Sequence, residues 1–554
     1  MKLLLIQPPV QDFYDTDVRL QPIGLAYLKA AVAKHLPEVQ VLLRDYHHVR
    51  GRRTIPLPKE LSYLRDYYAR DDKSPFSSFH HYYHFGADFE TIAEETSREK
   101  PDLVGISSLF SPYYREALRC ADAIKKKSDV PILLGGSQVS AMPSFMLSHP
   151  NVDLVIRGEG ERPLVELLKA LKNGRSLRKV PGLGFKKNGR LFLNSEAANF
   201  PVAELPCPDL SDLPKDRYLF EKKPLCFIIT SRGCPYRCSF CSVHRTFGHA
   251  YRKRSADQIL AELERRYEEG YRVFDFEDDN FAFDRKRTLE LCGKIAAAFP
   301  KKDVQLLAMN GICYWTLDGT VLKKMRLAGF THLNLSLVSL NTALLRRVHR
   351  PHFLVRYRAA VKKAAALGFK TVAYQILGLP GDTVASMIKT LRFNARLPVL
   401  LGASPFYLTP ASPLTARGDA PAEEDVFKAR LTAIAVETRD FSRDDIYTLF
   451  ITTRILNFLK GIKLEKPVTV LDQALAIAQT QDARSHKGVA LLKKLLREKR
   501  LFASTPGDDM PLPRFKAELF FEIWNDLDKI ITQENRTIRL RKGGHFKTEE
   551  AYEI

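Results

Sequence analysis

Three cysteines crowd into eight residues, Cys234-Pro-Tyr-Arg-Cys238-Ser-Phe-Cys241, and no other feature constrains the chain as tightly. They follow directly on an apolar run, Leu225 to Ile229, that reads as a strand. Gly233 and Pro235 bracket the first cysteine, so a tight turn can bring the three sulfurs together. A structural zinc site needs four ligands, and His244, three residues past Cys241, is the one local candidate for a fourth. Soft thiolates on a turn suit an iron–sulfur cluster, and a three-ligand cluster leaves one iron open for chemistry.

The pattern C-x3-C-x-aromatic-C, with Phe240 as the aromatic, resembles the signature of the radical S-adenosylmethionine enzymes. The resemblance implies a 4Fe-4S cluster on Cys234, Cys238 and Cys241. It further implies that S-adenosylmethionine chelates the open iron and is cleaved reductively to a 5′-deoxyadenosyl radical, with an external one-electron reductant such as flavodoxin or ferredoxin.

From Leu225 to Thr409, six strand–helix repeats follow one another, with strands expected at 225–231, 272–277, 304–309, 331–337, 370–377 and 401–408. They fit a partial (β/α)6 TIM-type barrel over residues 223–415, with its site at the carboxyl ends of the strands. There the family resemblance picks out S-adenosylmethionine contacts. Asp278 and Asp279, more than Glu277, are placed for its ammonium; Asn310 follows the third strand, and Gly378 and Pro380 sit in Gly378-Leu-Pro-Gly-Asp-Thr383 after the fifth. The family's fourth strand ends in a ribose-binding Glu, but Val338 stands there, which leaves Ser336, Ser339 or Asn334 as substitutes.

Residues 1–172 also alternate strand and helix, as a doubly wound Rossmann-like α/β domain does. They resemble the cobalamin-binding domain found ahead of the barrel in one radical S-adenosylmethionine subfamily, through Gln7-Pro-Pro9, Pro101 to Ser107, Gly135-Gly136 and Arg157-Gly-Glu-Gly-Glu161. That implies cobalamin contacts at Pro8, Ser107, Ser108, Gly135, Gly136, Gly158 and Glu159. His47 is read as a surface-loop residue rather than a cobalt ligand. The aromatic- and His-rich insert 52–85 is read as ordinary loop packing.

Residues 173–222 read as a connector containing an Asn188-Gly189 hairpin turn, and 416–554 as a helical C-terminal region. Helices are expected at 422–441, 444–459, 468–481, 488–500 and 513–535, with the last twenty residues frayed. The fold class is therefore α/β: a Rossmann-like domain, a partial barrel and a helical end.

Composition bounds the rest. Eight cysteines, three of them in the motif, argue for a reducing compartment and a metal rather than disulfides. The opening apolar run is too short for a signal peptide, and no run approaches the ~18 apolar residues of a membrane span. A cytoplasmic location is the expectation. The net charge of +22 is scattered without an RNA-binding signature, so nucleic acid is disfavoured as a partner and association with an anionic surface is left open. The expected activity is methyl transfer from methylcobalamin to an unactivated carbon of a small-molecule substrate. Two alternatives stand beside it: a cobalamin-assisted ring-forming enzyme related to the anaerobic magnesium-protoporphyrin ester cyclase, and a non-catalytic basic nucleic-acid-binding scaffold with a structural cluster.

Overall fold

The computed structural model describes residues 1–14, 21–48, 50–415, 422–462, 471–533, 539–541 and 545–547. The N-terminal sheet is built from β1 (Lys2–Gln7), β2 (Gln40–Asp45), β3 (Leu103–Ser107), β4 (Ile132–Gly135) and β5 (Leu154–Ile156). All five strands are parallel, in the order β2-β1-β3-β4-β5. The order reverses between β1 and β3, which opens a crevice at the carboxyl ends of the strands.

A hairpin, β6 (Leu183–Lys187) and β7 (Arg190–Leu193), continues the sheet antiparallel from β5. Its turn residues Asn188 and Gly189 hold φ of 50° and 71°, the left-handed pair a two-residue hairpin requires. The stretch read as a connector thus contributes two strands before it crosses to the second domain.

Side-chain alternation along these strands splits the interior into two cores. Leu3, Leu5, Leu103 and Leu133 face one way and share a core with Phe274, Leu306 and Leu335 of the barrel. Leu4, Ile6, Val104 and Leu134 face the other way and pack with Leu449, Ile455 and Leu492 of the C-terminal helices. The Rossmann sheet is therefore the middle layer of the molecule.

The barrel consists of β8 (Lys223–Ile228), β9 (Val273–Phe276), β10 (Gln305–Leu307), β11 (His332–Val338), β12 (Lys370–Leu377) and β13 (Leu400–Pro405). The six strands run parallel in sequence order, and between β10 and β11 the ladder thins to the single bridge Leu306↔Phe330. This is the expected partial barrel, with helices on its outside.

Three expectations need correction. His47 is not a surface residue: it is 0% exposed and its ring meets Phe85 edge-on at 6.4 Å. Asp45 draws it inward by accepting the backbone N–H groups of His47 and His48.

The single helix expected over 422–441 is broken, with only Glu423–Phe427 helical and a short 3-10 turn at Leu431–Ala433. The cause is Arg430, whose buried guanidinium pairs with Asp12 at 3.3 Å and donates to the carbonyls of Gln11 and Pro112. That tertiary demand outweighs local helix propensity and leaves Ile434 at φ 44°. The region is also not wholly helical, since Phe502–Ser504 and Asp509–Pro511 form a hairpin between its last two long helices.

The 52–85 insert packs as expected. Tyr63 and Tyr68 donate to the carbonyls of Ala433 and Thr432, tying the insert to the C-terminal region. Its His84 lies between Gln11 and the Ala87 carbonyl. The basic-then-acidic last twenty residues fall largely outside the described ones. Among the described residues, no helix is long and apolar enough to cross a membrane.

Removing Arg430 leaves Asp12 buried and unpaired, a loss of roughly 3–5 kcal/mol for a pair of this kind. An Arg430→Ala variant is expected to unfold at a clearly lower denaturant concentration, with the C-terminal helices losing amide protection first. A variant with unchanged protection would remove Arg430 as the cause of the helix break.

Candidate active site

The cysteine loop leaves the carboxyl end of β8 and is held there by one carboxylate. Asp278 follows β9, is 0% exposed, and accepts the backbone N–H of Thr230 at 2.7 Å and of Ser231 at 3.1 Å, as well as both hydroxyls. Arg287 stands 3.8 Å behind it. Asp278, expected beside an ammonium, is instead saturated by the strand end and does not reach the cleft described below; it braces the loop. Its neighbour Asp279 does line the cleft, accepts the N–H of Gly233 at 2.9 Å, and is pushed up to about 6 by burial and by the charge of Asp278.

Gly233 is needed where it is: at φ 83°, an added Cβ would lie 2.3 Å from the Ala250 carbonyl. The loop then turns through Cys234, Cys238 and Cys241. Burial pushes the Cys234 thiol above its ordinary range and Cys241 up to about 11, the neighbouring cysteines adding to both, so it is a metal that would hold them as thiolates. No group of three or more Cys, His, Asp or Glu among the described residues is drawn close enough to hold a single ion. Three thiols on one loop suit three corners of a multi-iron cluster, whereas a structural zinc site takes four ligands. His244 stacks on His249 at 4.9 Å and hydrogen-bonds to the Cys241 backbone, which ties it to the loop.

Arg350 is a site residue the sequence reading missed. Its Nη1 donates to Cys238 Sγ at 3.9 Å, and its Nη2 to the Ser336 carbonyl at 3.1 Å. Asn280 donates to Cys234 Sγ at 3.8 Å. Such N–H···S contacts orient and tune sulfur ligands.

A cleft of about 570 Å³ separates the two domains. One wall is the carboxyl ends of β1, β3, β4 and β5; the other carries Phe227, Arg232, Val243, Phe247, Glu277, Asp279 and Asn310 of the barrel. Of the residues expected at a corrinoid, Ser107, Gly135, Gly136, Gly158 and Glu159 line it, whereas Pro8 and Ser108 do not. At Gly136 the strand ends press together: at φ 111°, a Cβ would sit 2.6 Å from the Ser108 carbonyl.

Glu159 has a second task that the sequence did not disclose. It accepts from Arg232 and Arg252, both at 2.8 Å, and from the Phe200 N–H, while Glu161 accepts from Arg232 at 2.7 Å. Arg232, two residues before the first cluster cysteine, lies 5.5 Å from the rings of both Tyr27 and Phe247. The Gly-Glu-Gly-Glu loop of the first domain is thereby fastened to the root of the cysteine loop. The only sequence signal was an Arg next to the motif, which reads equally well as a solvated charge.

The remaining expected contacts lie along the barrel rim, Asn310 on the cleft wall and the others away from it. Asn310 donates to the Glu277 carbonyl. Phe240 packs against a small apolar group that contains Val338, Leu379 and Phe406. Val338 is buried there at φ 70°, beside a register shift between Ser336 and Val338. A β-branched residue in that conformation stores strain on the order of 1–3 kcal/mol. Of the hydrogen-bonding substitutes for the missing Glu, Asn334 donates to the Met309 carbonyl and Ser339 accepts from Asn341, which leaves Ser336 half-buried at the bulge. Gly378, at φ 85°, is backed by Ile446 and Phe441 of the C-terminal region, and the Pro380 carbonyl accepts from Arg347.

Comparison with known proteins agrees with this geometry. The B12 binding domain model matches residues 77–168 and the Radical SAM superfamily model residues 228–393. Fold and site together define a radical S-adenosylmethionine enzyme with a B12 binding domain ahead of its barrel.

The uncharacterized methyltransferase PH0819 of Pyrococcus horikoshii is 28% identical over 405 residues, covering 72% of this chain and 79% of that protein. The anaerobic magnesium-protoporphyrin IX monomethyl ester cyclase of Cereibacter sphaeroides is 26% identical, covering 55% and 50%. The fold is shared with the cobalamin-dependent S-adenosylmethionine radical enzyme OxsB, solved with aqua-cobalamin and S-adenosylmethionine bound. Its TM-score is 0.58 at 16% identity, covering 98% of this chain and 82% of that one.

Replacing Arg232 by Met strands the buried Glu161 carboxylate and leaves Glu159 to Arg252 alone, so amide exchange is expected to accelerate in 157–161 and in 231–241 together, with β9–β12 unchanged. Acceleration confined to 231–241 would mean that the ion pairs do not join the domains.

Proposed function

We propose that this protein transfers a methyl group to an unactivated carbon of a small molecule, using a 4Fe-4S cluster, S-adenosylmethionine and cobalamin. The observation that carries the reading is the cleft in which the carboxyl ends of two parallel sheets face each other, with the cysteine loop at its edge. Resemblance to a methyltransferase along most of both chains supports it.

When bound, the cofactors supply the radical and the methyl group. The chain's own residues do the rest. Cys234, Cys238 and Cys241 hold the iron, Asp278 and Arg232 fix the loop that presents them, and Asp279 offers a carboxylate toward an ammonium. The strand ends at Ser107, Gly135 and Gly136 leave room for a flat ring to approach the backbone, and the apolar wall of Leu133, Leu164 and Phe227 excludes water. Cyclase-type ring formation is the second reading, favoured by the likeness to the magnesium-protoporphyrin enzyme over about half of each chain.

The test is anaerobic reconstitution with cobalamin, removal of excess, and incubation with methyl-labelled S-adenosylmethionine and candidate substrates. One retained corrinoid per chain with label in the product supports methyl transfer; a retained corrinoid with an unlabelled, newly ringed product supports the cyclase reading. No retained corrinoid beside an intact cluster would sink both. Cys238→Ala should abolish S-adenosylmethionine cleavage, whereas a nucleic-acid scaffold would keep its binding.

Asp279 gives a pH signature. Because its folded value is raised to about 6, it is a carboxylate above that pH and neutral below it. Affinity for S-adenosylmethionine should weaken as pH falls through about 6, approaching tenfold per unit below. Equilibrium dialysis of Asp279→Asn should show weaker binding without that slope.

A further inference from the structure

No Asp or Glu occurs between Asp318 and Asp382, and the same stretch holds eleven Lys and Arg, half of the chain's formal net charge of +22. It folds as the helices Gly319–Ala328, Thr342–Arg347 and Leu354–Ala366 with β11 and β12. Nine of these cations lie on the helices, with Arg346, Arg347, Arg356 and Arg358 exposed, while Lys370 starts β12 and Arg350 lies between the last two helices. Asp318, the acidic residue at its start, is taken by Arg285 at 2.7 Å.

Apolar groups come to the surface within this basic field. Phe353 is 42% exposed and Val355 82%. The Phe353 ring lies 5.5 Å from that of Trp315, and Arg356 spans the pair, its guanidinium 5.6 Å from the Phe353 ring and donating to the Trp315 carbonyl at 3.1 Å. From there contact runs inward. Trp315 Nε1 donates at 3.0 Å to Tyr236, which sits between Cys234 and Cys238, and the Arg350 guanidinium lies 5.7 Å from the Trp315 ring while donating to Cys238 Sγ. Two side chains, Trp315 and Arg350, thus connect an exposed aromatic patch to a cysteine sulfur. A nucleic acid or an anionic membrane would answer to the charge, but neither accounts for an apolar patch that continues to that sulfur.

We propose that this rim, with Phe353 and Val355 at its centre, Arg356 across the aromatic pair and Arg346 exposed on the preceding helix, is the docking surface for an acidic one-electron carrier protein. The carrier loses one electron and the cluster on Cys234, Cys238 and Cys241 gains it, with no atom transferred. The inference rests on the cluster assignment of the proposed function. Charge complementarity steers the encounter, and the apolar centre excludes water where the two proteins meet.

The test is anaerobic stopped-flow reduction of the reconstituted enzyme by an acidic flavodoxin hydroquinone, with titanium(III) citrate as the small-molecule control. In wild type the flavodoxin rate constant should fall steeply as ionic strength rises from about 50 to about 500 mM. The double variant Arg346→Glu, Arg356→Glu should lose at least tenfold in that rate constant and most of its salt dependence, while iron content and titanium reduction stay as in wild type. If the double variant takes up no iron, Phe353→Ser decides with the charges intact, and must slow flavodoxin alone.

An unchanged flavodoxin rate in a fully loaded variant overturns the proposal. So does loss of RNA or anionic-vesicle binding with the flavodoxin rate preserved, which would give this face to another partner. A wild-type chain that assembles no four-iron cluster sinks the proposed function, and the docking surface with it.

Discussion

Everything at the site hangs on the buried ion-pair group of Arg232 and Arg252 with Glu159 and Glu161. Each charge costs several kcal/mol to take out of water, so the four are stable only when made together and in good geometry. Making them brings the Gly-Glu-Gly-Glu loop of one domain against the root of the cysteine loop of the other. The flanking rings of Tyr27 and Phe247 keep the guanidinium dry and in place. The crevice created by strand reversal in the first sheet thus opens onto the carboxyl ends of the second, and the cleft is a consequence of that clamp.

The C-terminal region repeats the device on the opposite face of the sheet. Arg430 reaches into the first domain to meet Asp12, and the tyrosines of the 52–85 insert reach back to Thr432 and Ala433. A sheet buried on both faces cannot shift its register without exposing one core or the other, because alternate residues of each strand belong to different partners. The strand ends that line the cleft inherit that rigidity.

What the sequence made legible follows from this construction. Continuous apolar runs such as Leu3 to Ile6, and the turn signals between them, carried the parallel strands, because strands buried on both faces announce themselves in composition. The cysteine spacing carried the site. The partners of charged residues were hidden. Asp278 and Asp279 are neighbours with the same chemistry, yet one is consumed by the ends of β8 and the other faces the cleft, a distinction set by the direction of a pleat and the path of a loop. Glu159 read as a ligand contact because nothing local reveals that Arg232, 73 residues away, will claim it. The 422–441 helix failed for the same reason: local propensity was sound, and a distant Asp12 outweighed it. Val338 was visible as a departure from the pattern, but its left-handed backbone and its place beside Phe240 were not.

Cluster and corrinoid are expected to share one cleft between two clamped domains. Pulsed electron paramagnetic resonance on reconstituted enzyme holding cob(II)alamin and the reduced cluster tests this most directly. The two paramagnets are expected to couple, with the cobalt signal broadened or split by the nearby iron–sulfur spin. A stoichiometric corrinoid whose cobalt signal is indistinguishable from that of the isolated, cluster-free form would contradict it.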